Sequence, residues 1–170
     1  LPEMRANNSG HIVMIASVAG RTGYPFNAAY VAAKHAVVGF TASLRAELYG
    51  TNVHATVVNP AGVITEWADV TEGGPIGQLY AKAIPKSRAI AREHGLALAP
   101  LSAMMPADEV ARIIVETIEA GRTGDIFTHA GTHDQAVAAA QDRVAQEDAF
   151  GALYLAMQQA YAELRPTGQQ

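Results

Sequence analysis

The sequence predicts an α/β chain built around a parallel sheet, and three observations carry that expectation. The apolar run at 11–17 is continuous rather than alternating, as strands buried on both faces are, with 52–58 reading as a second buried strand and 125–129 as a third short one. Stretches of helical periodicity separate them, and Gly, Pro and Asn mark the joints. The resulting order of strand, helix, strand, loop and helix, strand, helix is that of right-handed crossovers in a parallel sheet. About three strands are few for such a sheet, so the expectation is the C-terminal half of a doubly wound one, with flanking helices and a long C-terminal helix.

Each element has its own signal. His11–Ser17 follows the turn-forming Asn7-Asn8-Ser9-Gly10 and reads as the first strand. A loop from Gly20 to Phe26 leads to Asn27, a residue type suited to capping a helix over Ala28–Tyr49. That helix sets a small face of Ala28, Ala29, Ala32, Ala33 and Ala36 beside a larger one of Val37, Phe40, Leu44 and Leu48, and Gly50 closes it. Asn52–Val58 is the second strand, ended by Asn59-Pro60-Ala61-Gly62. The segment 63–105, interrupted by Gly73-Gly74-Pro75, Pro85 and Pro100, carries a helical stretch around Ile76–His94 and is read as a substrate lid within a single domain, 1–170. Pro106-Ala107-Asp108-Glu109 starts a helix that stops at Gly121, Asp125–His129 is the third strand, and 134–164 is helical with Gly151 as a possible break. Leu1 and Pro2 read like the tail of a helix already under way, as at a cut end.

Composition narrows the function. With 170 residues, 49% hydrophobic and 16% charged, the chain can bury one sizeable core. A net charge of -4 and scattered arginines offer no basic stripe, so neither nucleic acid nor an anionic membrane is expected as partner. The absence of cysteine removes disulfides and thiolate chemistry and fits a reducing cytoplasm. No apolar run approaches the length of a membrane-spanning helix, and the first residues do not read as a signal peptide.

The chemistry concentrates in one pattern. Tyr30 and Lys34 stand at i and i+4 in the first turns of a helix, and Ser17 lies thirteen residues before Tyr30 at the carboxyl edge of a buried strand. A phenol, ordinarily of pKa about 10, must approach working pH to act as acid and base. An ammonium about 4 Å from its oxygen supplies about 4 kcal/mol at an effective dielectric of about 20, more than the ~0.3–1 kcal/mol from a helix N-terminus. Taken singly, Ser17 is an ordinary turn residue and the Tyr/Lys pair a packed phenol beside a solvated amine; only the combination points to proton transfer onto a carbonyl.

Gly10-His11-Ile12-Val13-Met14-Ile15-Ala16-Ser17-Val18-Ala19-Gly20, Tyr30-Val31-Ala32-Ala33-Lys34 and Ser43-Leu44-Arg45-Ala46-Glu47-Leu48 together resemble the strand and catalytic-helix signature of the short-chain dehydrogenase/reductases, whose sheet is Rossmann-like. The resemblance implies an NAD- or NADP-dependent oxidoreductase moving a hydride between nicotinamide and an alcohol or ketone. Ser17 would hold the substrate oxygen, Tyr30 would be the acid/base, and Lys34 would make that phenol more acidic and bond the nicotinamide ribose. Asn59-Pro60-Ala61-Gly62-Val63-Ile64-Thr65 is similar to the family's P-G-x-V-x-T loop, with Ala61 in place of its first glycine. By that likeness Pro60, Val63 and Thr65 join Tyr30 and Lys34 as cofactor-binding residues, although Thr65 could equally cap the next helix.

The family's glycine-rich T-G-x-x-x-G-x-G turn, its N-N-A-G strand end and its helix-borne asparagine have no counterpart in this sequence. Without such a turn the pyrophosphate lacks a resting place, so this segment by itself is expected to bind cofactor poorly. The alternatives are a non-catalytic truncated or split fragment of such an enzyme, and epimerisation or dehydration on the same scaffold. A homo-oligomer, tetramer or dimer, with an interface on the 28–49 helix is implied, as is a small and hydrophobic substrate. His129, His133 and Asp134 form a weak metal-ligand candidate, and no metal is expected there. Glu66, Trp67 and Asp69 read as an acidic helix start before they read as substrate contacts.

Overall fold

The computed structural model describes residues 1–71 and 76–164. In chain order the elements are α1 (Pro2–Ala6), β1 (Gly10–Ile15), a 3-10 turn (Val18–Gly20), α2 (Ala28–Glu47), β2 (Val53–Asn59), β3 (Val63–Ile64), α3 (Trp67–Val70), α4 (Ile76–His94), β4 (Met105–Pro106), α5 (Ala107–Glu119), β5 (Gly124–Phe127), α6 (Thr132–Gln141), α7 (Arg143–Ala149) and α8 (Gly151–Leu164). The described residues divide into two compact units, one of Leu1–Ile64 with Ser102–Ala140, the other within Thr65–Leu101 and Gln141–Gln170.

The first unit holds a three-stranded sheet in the order β1-β2-β5, parallel throughout. Its register sets Ile12 beside Ala55, Ile15 beside Val58 and Asn59 beside Phe127. This is the parallel α/β architecture that the continuous apolar runs predicted. β2 lies in the centre, and Val57 and Val58 are wholly buried, which explains why its sequence shows no alternation. Each fully buried valine contributes about 1.5–3 kcal/mol relative to an exposed one. On α2, Leu44 and Leu48 pack with Val53 and Ala55, and Met4 and Ile12 close the cluster. A second, two-stranded sheet pairs β3 with β4, Val63 beside Met105.

The second unit is helical. α4 packs along α8 through buried Leu79, Ala83 and Ile90 on one and Leu153, Met157 and Ala160 on the other. Lys82 and Lys86 of α4 reach Glu163 of α8, and the Lys86 hydrogen bond is the main cause holding that exposed carboxyl below its usual range. Among the described residues no helix is long and apolar enough to cross a membrane.

Four local expectations change. β1 ends at Ile15, so Ser17 lies beyond the strand rather than in it. Asn27 occupies the N-cap of α2 but its side chain makes no capping bond; its Nδ2 donates to the Pro25 carbonyl at 3.3 Å. α4 runs through Pro85. The stretch 134–164 breaks at Gly151 as expected but also at Asp142, whose Oδ1 accepts Ala145 N–H and caps α7. Gly73-Gly74-Pro75 lies outside the described residues.

One polar chain crosses the sheet near the amino ends of its strands. Thr56 Oγ1 donates to the Arg122 carbonyl at 2.7 Å and therefore accepts from His11 Nε2–H at 2.9 Å. That fixes the His11 tautomer and leaves its Nδ1 buried with no hydrogen-bond partner among the described residues. Burial, aided by His54 whose ring lies 5.6 Å away, lowers the His11 pKa below 6.5. Because the folded chain holds the proton less tightly than the unfolded one, stability is intact above about pH 6.5 and falls as the pH drops from there towards the folded-state value. Urea midpoints measured between pH 7.5 and 5 are expected to decrease, with a weaker decrease for His11→Gln.

Candidate active site

The site lies at the carboxyl ends of β1 and β2, where ladder partners run out and ligands bind in open parallel sheets. Ala16 N–H still donates to the Val58 carbonyl at 2.8 Å. Beyond it the ladder gives way to the Pro60 carbonyl, which accepts both Val18 N–H at 2.9 Å and Ser17 Oγ at 3.3 Å. Ser17 Oγ in turn accepts Ala19 N–H at 3.1 Å, capping the 3-10 turn, and the side chain is buried. Serine suits this position because one hydroxyl both donates and accepts.

α2 approaches that turn closely. A Cβ on Gly20 would lie 2.8 Å from the Lys34 carbonyl oxygen and 3.0 Å from Val38 Cγ2, so only glycine fits there without displacing the helix. Phe26 enters α2 through a left-handed backbone conformation at φ 62°, one that a bulky side chain adopts only at a cost. From the first turns of α2, Lys34 Nζ stands 5.5 Å from the centre of the Tyr30 ring. The same ammonium donates to the Ile15 carbonyl at 3.0 Å, which ties it to the end of β1 two residues before Ser17. Both side chains are half-buried.

The other expected residues fall as follows. Pro60 touches Ser17 through its carbonyl, as described. Val63 lies in β3, whose ladder engages the preceding Gly62 carbonyl through Met105 N–H at 3.0 Å and so leaves the peptide groups of Val63 on the opposite edge. Thr65 opens the second unit, and its Oγ1 accepts Trp67 N–H at 3.3 Å, the capping alternative. Asp69 has no described side chain.

Sequence reasoning missed the part that His129 plays. Buried past the end of β5, it accepts Ala61 N–H on Nδ1 at 3.2 Å and holds the Gly62 carbonyl on Nε2 at 2.9 Å. Both ring nitrogens are thus occupied by the 60–64 turn, whereas His133 faces solvent and pairs with Asp134 at 3.0 Å. Among the described residues no group of three His, Asp or Glu could hold a metal ion.

The family model described as short chain dehydrogenase matches residues 1–73, the segment that carries Ser17, Tyr30, Lys34 and the 60–65 turn. An uncharacterized oxidoreductase of Staphylococcus saprophyticus is 42% identical over 98 residues, which cover 54% of this chain and 39% of that protein. Over its first 73 residues the chain is thus similar to the short-chain dehydrogenases.

Dehydrogenase/reductase SDR family member 7B of Xenopus laevis is 46% identical over 65 residues, 38% of this chain and 20% of that protein. A short-chain dehydrogenase of Burkholderia cenocepacia, solved with NADP, shares the fold at a TM-score of 0.58 and 20% identity over 86% of this chain and 48% of that one. The closed form of serine dehydrogenase complexed with NADP+ aligns at a TM-score of 0.55 and 26% identity over 76% of this chain and 47% of that one. The chain therefore spans under two fifths of the two curated relatives and about half of these solved structures.

The fit of α2 against the Ser17 turn is testable by itself. Gly20→Ala is expected to destabilise the protein by about 1–3 kcal/mol, as overpacking does, read as a lower denaturant midpoint with unchanged slope.

Proposed function

We propose that the protein containing this chain is an NAD- or NADP-dependent oxidoreductase that interconverts an alcohol and a ketone, with Tyr30 as acid and base. The observation that carries this reading is the Lys34 ammonium 5.5 Å from the Tyr30 ring and bonded to the Ile15 carbonyl, beside the strand end from which Ser17 projects.

The residues present fit the nicotinamide end of the cofactor. Val63 has its peptide groups on the edge of β3 away from β4, open to a carboxamide, and Lys34 would reach the ribose hydroxyls. When bound, the nicotinamide supplies the hydride to a carbonyl carbon or takes it back. Ser17 Oγ would hold the substrate oxygen, exchanging its contact with the Pro60 carbonyl for one with the ligand. Tyr30 then gives its phenolic proton to that oxygen in reduction and recovers it in oxidation, while Lys34 stabilises the phenolate in between.

The same reading takes a small, hydrophobic alcohol or ketone as substrate, the 63–105 segment as its cover, the cytoplasm as location and a homo-oligomer as the working state. The exposed apolar residues of α2, with Phe40 57% accessible, support an interface on that helix. No glycine-rich turn of the kind that cradles a pyrophosphate occurs in this sequence.

Tyr30→Phe in the full-length protein is expected to lower kcat by at least about 100-fold while the dissociation constant of the nicotinamide cofactor stays within about twofold. Turnover at the wild-type rate in that variant would reject the assignment.

A further inference from the structure

We infer that His129 is a positioning residue for the nicotinamide-binding turn, a role that rests on the oxidoreductase reading above. Ala61 N–H can only donate, so the Nδ1 it meets at 3.2 Å carries no proton. The Thr128 hydroxyl, 2.7 Å from the same nitrogen, is then a donor to it as well. The proton sits on Nε2 and is donated to the Gly62 carbonyl at 2.9 Å. One neutral ring thus grips two consecutive residues of the turn, by the amide of one and the carbonyl of the next.

Those two residues separate the points that the reaction needs. On one side stands Pro60, whose carbonyl meets Ser17 Oγ; on the other stands Val63, whose peptide groups would face the nicotinamide. The grip matters because Ala61 replaces the glycine of the family pattern, and beside it a Cβ on Gly62 would lie 2.5 Å from Met104 Sδ, the end of an exposed side chain that would have to move. With Met105 N–H also on the Gly62 carbonyl, the turn is held from β4 and from the end of β5 at once. Filling this space with an apolar side chain would pack equally well, but it would leave the Ala61 amide and half the acceptor capacity of Gly62 unpaired. The role assigned to the ring is to set the path from Pro60 to Val63, with no contact to substrate.

The test uses the full-length protein, its His129→Leu and His129→Gln variants, and two probes: the nicotinamide cofactor the wild type binds, and the matching ADP-ribose or 2′-phospho-ADP-ribose, which lacks nicotinamide. Calorimetry is expected to show His129→Leu weakening the whole cofactor about tenfold, on the scale of one lost neutral hydrogen bond, with ADP-ribose affinity unchanged. His129→Gln, which keeps a donor for the Gly62 carbonyl, is expected to recover part of the loss, and it alone is read if the leucine variant does not fold. Unchanged cofactor affinity in both variants overturns the inference, as does an equal loss for both probes, which marks a scaffold role. A wild type that binds ADP-ribose but gains nothing from the nicotinamide overturns the oxidoreductase reading itself, and the inference with it.

Discussion

The Pro60 carbonyl is the point on which this site depends. β1 and β2 are parallel neighbours whose ladder ends at Ala16 and Val58, and beyond that pair nothing regular holds the two chains together. The carbonyl accepts Val18 N–H and Ser17 Oγ, which continues the attachment past the last ladder bond. A proline at this position has no N–H of its own to satisfy and a fixed φ, so the turn leaves the sheet in one direction. The Ser17 hydroxyl is therefore placed by the same peptide group that starts the 60–64 turn.

A second constraint acts across the turn rather than along it. Gly20 lets the backbone of α2 come within contact distance at Lys34, and Lys34 closes the gap from the other direction by donating to the Ile15 carbonyl. Helix and strand end are pinned both by a missing side chain and by a long one. An ion pair would hold less reliably in so exposed a place, because solvent screens it. A lysine bonded to a backbone carbonyl keeps its charge, and the two remaining ammonium protons stay available for a ligand hydroxyl.

Much of this was legible in the sequence, for a physical reason. β2 is covered on both faces, so its continuous run 53–58 needed no alternation to be read; α2 declared itself by its alanine and leucine faces. The Tyr30/Lys34 spacing follows from helix geometry alone and survived into the structure as a ring–ammonium contact. The elements that escaped notice have no period to detect. β3 and β4 are two residues each, and the helix break at Asp142 depends on one side-chain cap, whereas the break at Phe150 was signalled by Gly151. His129 meets Ala61 across 68 residues of chain, a separation at which composition and periodicity carry no signal.

Half-buried His11 and buried His129 of the sheet unit show how position decides what an imidazole does. His11 sits near the amino ends of the strands with one nitrogen bonded to Thr56 and the other unpartnered, so burial acts on it without compensation and depresses its proton affinity. His129, at the carboxyl ends, has donors on Nδ1 and an acceptor on Nε2, and its ring is fully used. An unpartnered ring nitrogen costs stability and fixes nothing; a doubly bonded ring orients whatever it bonds. At the carboxyl edge of a parallel sheet, where ligands bind in such folds, the fully bonded histidine grips the turn that runs from the Ser17-bonded Pro60 carbonyl to Val63.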